Sequence, residues 1–297
     1  MTPVSVVIPT FNRARRVRRA IASVLSQTHT DVEIIVVDDG STDGTGRSLA
    51  SFGRRIEYRA HSANRGVSTA RNTGINAARH PLLAFLDSDD YWLPEKLAAQ
   101  VDFHEEHPDA VASQTEEIWI RGGRRVNPGR RHRKPSGDIF EPSLELCLVS
   151  PSAVMIRRQI LEDVGLFDES LPACEDYDLW LRIACRYPIH LIQRPLVVKE
   201  GGRADQLSAT YKGMDRFRIQ AMLKILRSGR LSAEQTRATL HELARKCRIY
   251  GQGCLKRGKR GEGEYFLSLP AAAREAVRSS FFKTDPQGRT TSVEEFA

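Results

Sequence analysis

Short apolar runs alternate with amphipathic stretches through the N-terminal part of the chain. Val4 to Pro9, Glu33 to Asp38, the weaker Ile56 to Ala60 and Leu82 to Leu86 are near-continuous apolar segments, as expected of strands buried on both faces. The stretches between them carry helical spacing. From Ala14 to Gln27, residues Val17, Ala20, Ile21, Val24 and Leu25 fall at i, i+3, i+4, i+7 and i+8 on one stripe, with Asn12 placed as N-cap. Ser41, Thr42 or Asp43 can cap a second helix. Asn64-Arg65-Gly66 turns into a small-residue helix, Val67 to Ala78. Pro94 opens another, with Leu97, Val101 and Phe103–His104 on its buried side. Ala110 to Ser113 returns to the sheet. Four βα units in succession predict an α/β fold: a Rossmann-like, mostly parallel sheet flanked by helices.

The rhythm breaks from Glu116 to Pro135, where Arg121, Arg124, Arg125, Arg130, Arg131, Arg133 and Lys134 crowd a Gly/Pro-containing stretch. A hairpin and flexible loop fit it, either simply solvated or touching an anionic acceptor or lipid headgroups. Ser152 to Ile156 reads as a strand, Arg157 to Val164 as a short helix stopped by Gly165, and Ile189 to Val198 as a further strand before a Gly-hinged loop, Lys199 to Gln206. Between them, the stretch from Cys174 to Arg182 is an amphipathic helix with Glu175, Asp176 and Asp178 in its first turn, where the macrodipole alone favours acids. From Tyr211 on the pattern is helical. Met214, Phe217, Ala221 and Ile225 form one stripe, Ser232 with Gln235 a capping box, and Leu240, Leu243, Cys247 and Tyr250 a second stripe. Gly251 to Gly263 reads as a basic connector, Pro270 as the start of a last helix to about Phe282, and the final residues as a polar frayed end. The organisation expected is a domain over 1–205 and a C-terminal helical extension over 206–297, packing on the first and available for pairing with another copy.

The chemistry concentrates at Leu82 to Trp92, where five apolar residues run into Asp87, Asp89 and Asp90. In open α/β sheets the ligand crevice lies at the carboxyl ends of the strands. Hard divalent cations there often take one or two carboxylates, with phosphates supplying the rest. Asp87-Ser88-Asp89 is therefore a candidate metal–diphosphate site, or an acidic loop capping the next helix. Asp39, after the second strand, belongs on the same rim. Arg13, Arg15, Arg16, Arg18 and Arg19 oppose the first helix's dipole at about 0.3–1 kcal/mol each when exposed. A bound diphosphate would offset part of that; the side chains can equally extend into water. No G-x-G-x-x-G follows the first strand and no P-loop pattern is present, which argues against dinucleotide and triphosphate chemistry.

Composition narrows the picture further. At 297 residues and 40% hydrophobic, the chain can hold one large domain or a medium one plus a smaller one. No run approaches the roughly 18 apolar residues of a membrane span. The N-terminal apolar run lacks a basic leader and is too short for a signal peptide. A cytoplasmic protein is expected, with peripheral contact at the inner membrane face left open. Five scattered cysteines without a CxxC pair do not suggest a disulfide framework or zinc site. A net charge of +8 favours anionic partners without choosing among them. Nucleic acid is not expected, because the basic stretches lack interleaved aromatics.

VSVVIPTFNR, VVDDGSTD, ARNTGINAA, FLDSDDYWLP and EDYDLWLR occur in that order. As an ordered set over about residues 1–205 they resemble the inverting glycosyltransferases of family 2, which have the GT-A fold. The resemblance implies transfer of a sugar from a nucleotide-diphosphate sugar, a UDP- or dTDP-sugar, to an acceptor hydroxyl, assisted by Mn²⁺ or Mg²⁺. The acceptor would be a glycan, a lipid-linked glycan or a small molecule. It further implies that Thr10 and Phe11 flank the base and that Asp39 accepts from a pyrimidine ring N–H. Arg71 would lie near the nucleotide, Asp87 on the ribose side and Asp89 on the metal. Asp176, of the pair Glu175-Asp176, would be the general base. Many relatives place a further metal ligand, often histidine, in the loop after the base helix; here Arg203 stands there, unable to ligate but able to reach the diphosphate. The competing class is a non-catalytic nucleotide-sugar or polyanion-binding module, which needs no base.

Overall fold

The computed structural model describes residues 1–127, 129–203, 206 and 210–281, the side chains of 280 and 281 excepted. The runs expected as the first four strands form β1 (Val4–Thr10), β2 (Val32–Asp38), β3 (Glu57–Ala60) and β4 (Leu82–Phe85), all parallel, in the order β3-β2-β1-β4. Alternation along β1 shows why both its faces are apolar. Val4, Val6 and Ile8 join a core with Val17, Ala20, Ile21 and Val24 of α1 (Ala14–Leu25). Val7 points the other way, against Gly74 of α3 (Val67–Ala77), where an added Cβ would lie 2.3 Å from its Cγ1. Gly74 thus lets the helix approach the strand.

Past β4 the sheet becomes mixed. β8 (Val154–Arg157) runs antiparallel to β4, β6 (Ala112–Arg121) antiparallel to β8, and β9 (Ile189–Gly201) parallel to β6. β5 (Tyr91–Trp92), too short to show a pattern, closes the edge antiparallel to β9, and β7 (Arg124–Val126) makes a hairpin with β6. The α/β expectation holds, with the wholly parallel part confined to β1–β4. β6 and β9 both run past their expected ends, because register shifts around Thr115, Glu116 and Glu117 let their polar outer halves stay paired.

One local expectation fails, and one of the caps expected for the second helix is formed. Asn12 does not cap α1: it sits at φ 51°, donates its N–H to Ser41 Oγ (2.8 Å) and accepts from Thr42 N–H (2.8 Å), tying the loops after β1 and β2 together. Asp43 takes the capping task on both sides, accepting from Thr45 N–H (3.0 Å) at α2 (Thr45–Leu49) and from Ala14 N–H (3.2 Å). Among the described residues, further α-helices of this part are α4 (Lys96–Glu106), α5 (Phe140–Glu145), α6 (Ile160–Val164) and α7 (Glu175–Ala184).

The chain divides into two compact units, Met1–Lys212 and Gly213–Ala297. The second holds helices Asp215–Arg227, Ala233–Lys256 and Arg260–Phe281, and the Ser232/Gln235 capping box is formed. The stretch from Gly251 to Gly263 is not a connector; only Arg257 to Lys259 links two helices, and Pro270 lies inside the last one. A Cβ on Gly251 would meet Gly263 O at 3.0 Å, and one on Gly263 would meet Gly251 O at 2.9 Å. These glycines allow close helix contact rather than flexibility. No helix among the described residues is long and apolar enough to cross a membrane. Ala204, Asp205 and the residues from Phe282 on, included in the expectations above, lie outside the described ones.

Candidate active site

The loops at the carboxyl ends of β1, β2 and β4 carry Thr10–Arg13, Asp39 and Asp87–Asp90, on one rim of the parallel sheet as the topology requires. What joins this rim to the distant α7 is Arg71. From α3 its Nη2 donates to Asp87 Oδ1 (2.8 Å) and its Nη1 to Glu175 Oε1 (2.6 Å), while the guanidinium carbon lies 5.1 Å from the centre of the Phe167 ring. The next residue, Asn72, fixes the segment leading to α7: its Nδ2 donates to Phe167 O and Glu169 Oε1, both at 2.9 Å, and its Oδ1 accepts from Phe167 N–H at 3.1 Å. Cys174, at φ 61°, holds the left-handed region just before Glu175, a strained conformation that typically costs about 1–3 kcal/mol and is common at functional sites.

Glu175 and Asp176 have different surroundings. Glu175 is buried and held by Arg71; burial, with Asp176 beside it, pushes its carboxyl up to about 7 against the pull of Arg71. Asp176 stays half-buried, with Oδ1 accepting its neighbour's N–H (Tyr177, 2.7 Å) and Oδ2 lying 3.5 Å from Cys147 Sγ. Asp178 is a structural acid, accepting from Arg182 Nε (2.9 Å) and Nη2 (2.7 Å).

Asp39 is buried and saturated by its own chain: it accepts from Arg65 N–H (3.0 and 3.1 Å) and Gly66 N–H (2.8 Å), and His61 Nδ1 lies 2.7 Å away. It shapes the turn into α3. Beside it Thr10 is buried, and Phe11 is 41% exposed.

Asp89 sits in a basic setting. Arg13 Nη1 lies 3.1 Å from Oδ1, while Arg203 Nη2 (2.9 Å) and Gln206 Nε2 (3.2 Å) donate to Oδ2. Glu200 pairs with Arg203 Nη1 (3.1 Å) and Arg19 Nη1 (2.5 Å), and Arg19 Nη2 donates to Asp89 O (3.1 Å). Among the described residues no three His, Cys, Asp or Glu side chains gather as a metal cage. The donor set at Asp89 is one carboxylate flanked by guanidiniums, which does not fit a divalent cation unless phosphate oxygens supply the other ligands.

Several contributors were not anticipated from sequence. Lys199 on β9 feels the charges of Glu117, Asp90, Asp87 and Asp176, which outweigh desolvation and raise its pKa. Acids from the β4 rim and from α7 thus both act on this one lysine. Ser152 donates to Asp90 Oδ2 (2.7 Å) and accepts from Asp87 N–H (3.1 Å). Burial pushes Asp90 up to about 8, with Lys199 opposing and Asp89 and Asp87 adding to the rise. On Glu117, burial is outweighed by Lys134 and Lys199, which bring it down to about 2. The only sequence signal for this network was polar residues at the outer ends of β6 and β9.

The family model described as glycosyl transferase family 2 matches residues 5–165, and one described as glycosyltransferase like family 2 matches residues 139–224. An uncharacterised glycosyltransferase of Rickettsia conorii is 34% identical over 207 residues, 66% of this chain but 33% of that protein, so the chain spans a third of this relative's length. The Escherichia coli protein WfgD, a UDP-Glc:α-D-GlcNAc-diphosphoundecaprenol β-1,3-glucosyltransferase, is 30% identical over 181 residues, covering 61% of this chain and 69% of that one. Among solved structures, S. aureus TarS 1–349 in complex with UDP-GlcNAc superposes with a TM-score of 0.65 at 18% identity, over 99% of this chain and 97% of that one. A Pyrobaculum calidifontis mannosyltransferase in complex with GDP-Man and Mn²⁺ gives 0.63 at 20% identity, over 94% of this chain and 76% of that one. These likenesses show the GT-A arrangement of sheet and helices.

Proposed function

The chain belongs to glycosyl transferase family 2, and from that premise we propose that residues 1–205 transfer a hexosyl group, with inversion, from a UDP- or dTDP-sugar to an acceptor hydroxyl. The observation that carries this reading is the double bridge of Arg71 to Asp87 and Glu175, which ties the rim acids to the start of α7. Inversion is an in-line displacement at the anomeric carbon. The acceptor hydroxyl loses its proton as its oxygen bonds to the sugar, and the bond to the nucleoside diphosphate breaks. Asp176, the more exposed of the α7 pair, takes that proton. Glu175, buried against Arg71, positions it. Thr10, Phe11 and Asp39 form the base side of the donor pocket, with Asp39 acting there through the turn it holds or on the ring N–H directly. Arg71 and Asp87 lie on the ribose side.

Charge on the departing diphosphate needs a cationic partner. A divalent ion at Asp89 is one reading, supported by the Mn²⁺ in the mannosyltransferase complex; the guanidiniums around Asp89 are the other. A diphospholipid-linked glycan acceptor is supported by the likeness to WfgD, and UDP-GlcNAc as donor by the TarS complex. Thermal shift with a panel of nucleotide sugars, followed by release of free nucleotide in the presence of acceptors, tests the proposal. Failure to bind any nucleotide sugar refutes it. Binding without turnover on any acceptor supports the non-catalytic module instead.

A further inference from the structure

We infer that Arg13 and Arg203, rather than a divalent cation, hold the donor's diphosphate, and that Asp89 is their counterion and aligner. The inference rests on the nucleotide-sugar reading above and specifies its diphosphate pole. Asp89 presents one oxygen to each arginine: Oδ1 faces Arg13 at 3.1 Å and Oδ2 faces Arg203 at 2.9 Å, with Gln206 also on Oδ2 at 3.2 Å. The two arginines arrive from separate elements. Arg13 closes the Thr10-Phe11-Asn12 loop after β1, and Arg203 lies in the loop after β9. They reach the carboxylate from its two ends and remain 18% and 22% exposed, so the pair is open to a ligand.

Arg13, Arg19 and Arg203 all reach Asp89 or Glu200, so guanidinium groups from three places in the chain converge on these two carboxylates. A bare Mg²⁺ or Mn²⁺ has to approach a carboxylate oxygen to about 2.0–2.2 Å, where guanidinium nitrogens now sit, and would add two positive charges beside them. Guanidinium is suited to the task, because its planar fork matches phosphate oxygens two at a time. The position where the resemblance expects a metal-ligating histidine carries Arg203, which pairs with Asp89 instead. The diphosphate would exchange places with the Asp89 carboxylate on the two forks.

Isothermal titration of the full chain with UDP, dTDP and GDP, each in EDTA and in Mn²⁺, tests this without reference to turnover. Wild type is expected to bind its preferred nucleotide with the same Kd, within about twofold, in both buffers. Asp89→Asn keeps the side chain's shape but removes the negative charge that competes for the arginines, and should tighten binding severalfold in EDTA. Arg203→His should lose at least tenfold in EDTA and recover much of it in Mn²⁺, with quenching of the Mn²⁺ paramagnetic resonance signal when nucleotide is added. Arg13→Gln is the second variant, expected to weaken binding in both buffers with its melting temperature retained. Wild-type binding that is tenfold or more weaker in EDTA, or lost in Asp89→Asn, overturns the inference and leaves the transferase reading standing. No binding of any nucleotide in either buffer overturns both.

Discussion

Replacing Arg71 with methionine removes the cation that two acids share and leaves the hydrophobic contact with Phe167 largely in place. Glu175 is 4% exposed and Asp87 is partly covered, so neither can rehydrate fully. Removing one partner of a buried ion pair typically costs about 3–5 kcal/mol, because a charge is left uncompensated. For a unit the size of Met1–Lys212, each kcal/mol lowers the melting temperature by roughly 2–4 °C, so a drop of roughly 6–20 °C is expected. The loss should depend on pH. With Arg71 present the Glu175 carboxyl titrates at about 7, above its unfolded value; without the cation it moves higher still. Near pH 5.5 the variant can keep Glu175 neutral in the fold and avoid part of the penalty. Near pH 9 keeping that proton costs more, because the unfolded state is fully ionised and protons are scarcer. Calorimetric melts of wild type and Arg71→Met at both pH values measure this, with Arg71→Lys as a control that keeps the charge but not the fork. A loss under about 1 kcal/mol with no pH dependence would show that Arg71 does not hold the two acids together.

Glu175 and Asp90 have raised folded pKa values, about 7 and about 8, so the folded state binds more protons than the unfolded state as pH rises from about 4 to about 8. Stability contributed by these two groups therefore falls across that window, by at most about 1.4 kcal/mol per pH unit for each. Glu175→Gln should flatten the fall below pH 7 and Asp90→Asn the part reaching pH 8, read by urea melts at half-unit intervals; unchanged slopes would contradict the assigned causes. Gly251→Ala sets about 1 kcal/mol of helix propensity against overpacking of roughly 1–3 kcal/mol, since its Cβ would meet Leu267 Cγ at 2.8 Å and Gly263 O at 3.0 Å. Net destabilisation of the helical unit is expected, and a stabilised variant would mean that the helices do not approach so closely. Ser152→Ala should lower stability by about 1–3 kcal/mol by leaving buried Asp90 without its 2.7 Å donor, measured by the same melts, with no change meaning that another donor replaces it.

The parts legible in the sequence are those whose environment is set locally. β1, β2 and β4 are covered on both faces, so their apolar runs stand out, and an acid ending such a run marks the rim. Asp87, Asp89 and Asp39 were visible for that reason, and α7 because its stripe is regular. The role of Arg71 could not be read from spacing, since Asp87 and Glu175 lie 16 and 104 positions away in sequence. Lys199 and Glu117 depend on a register shift between β6 and β9 that no periodicity encodes. Gly251 and Gly263 look like linker glycines until the helices they separate are seen to touch. Arg203 was noticed as a departure; its pairing with Asp89 needed the fold.

The central claim is that one carboxylate on α7 activates the acceptor while the rim holds the donor. Single-turnover release of UDP or dTDP from a bound nucleotide sugar in the presence of an acceptor, compared between wild type and Asp176→Asn at matched nucleotide occupancy, tests it most directly. The account predicts equal donor binding and a rate reduced by about 10²–10⁴ in the variant; transfer by Asp176→Asn at the wild-type rate would contradict it.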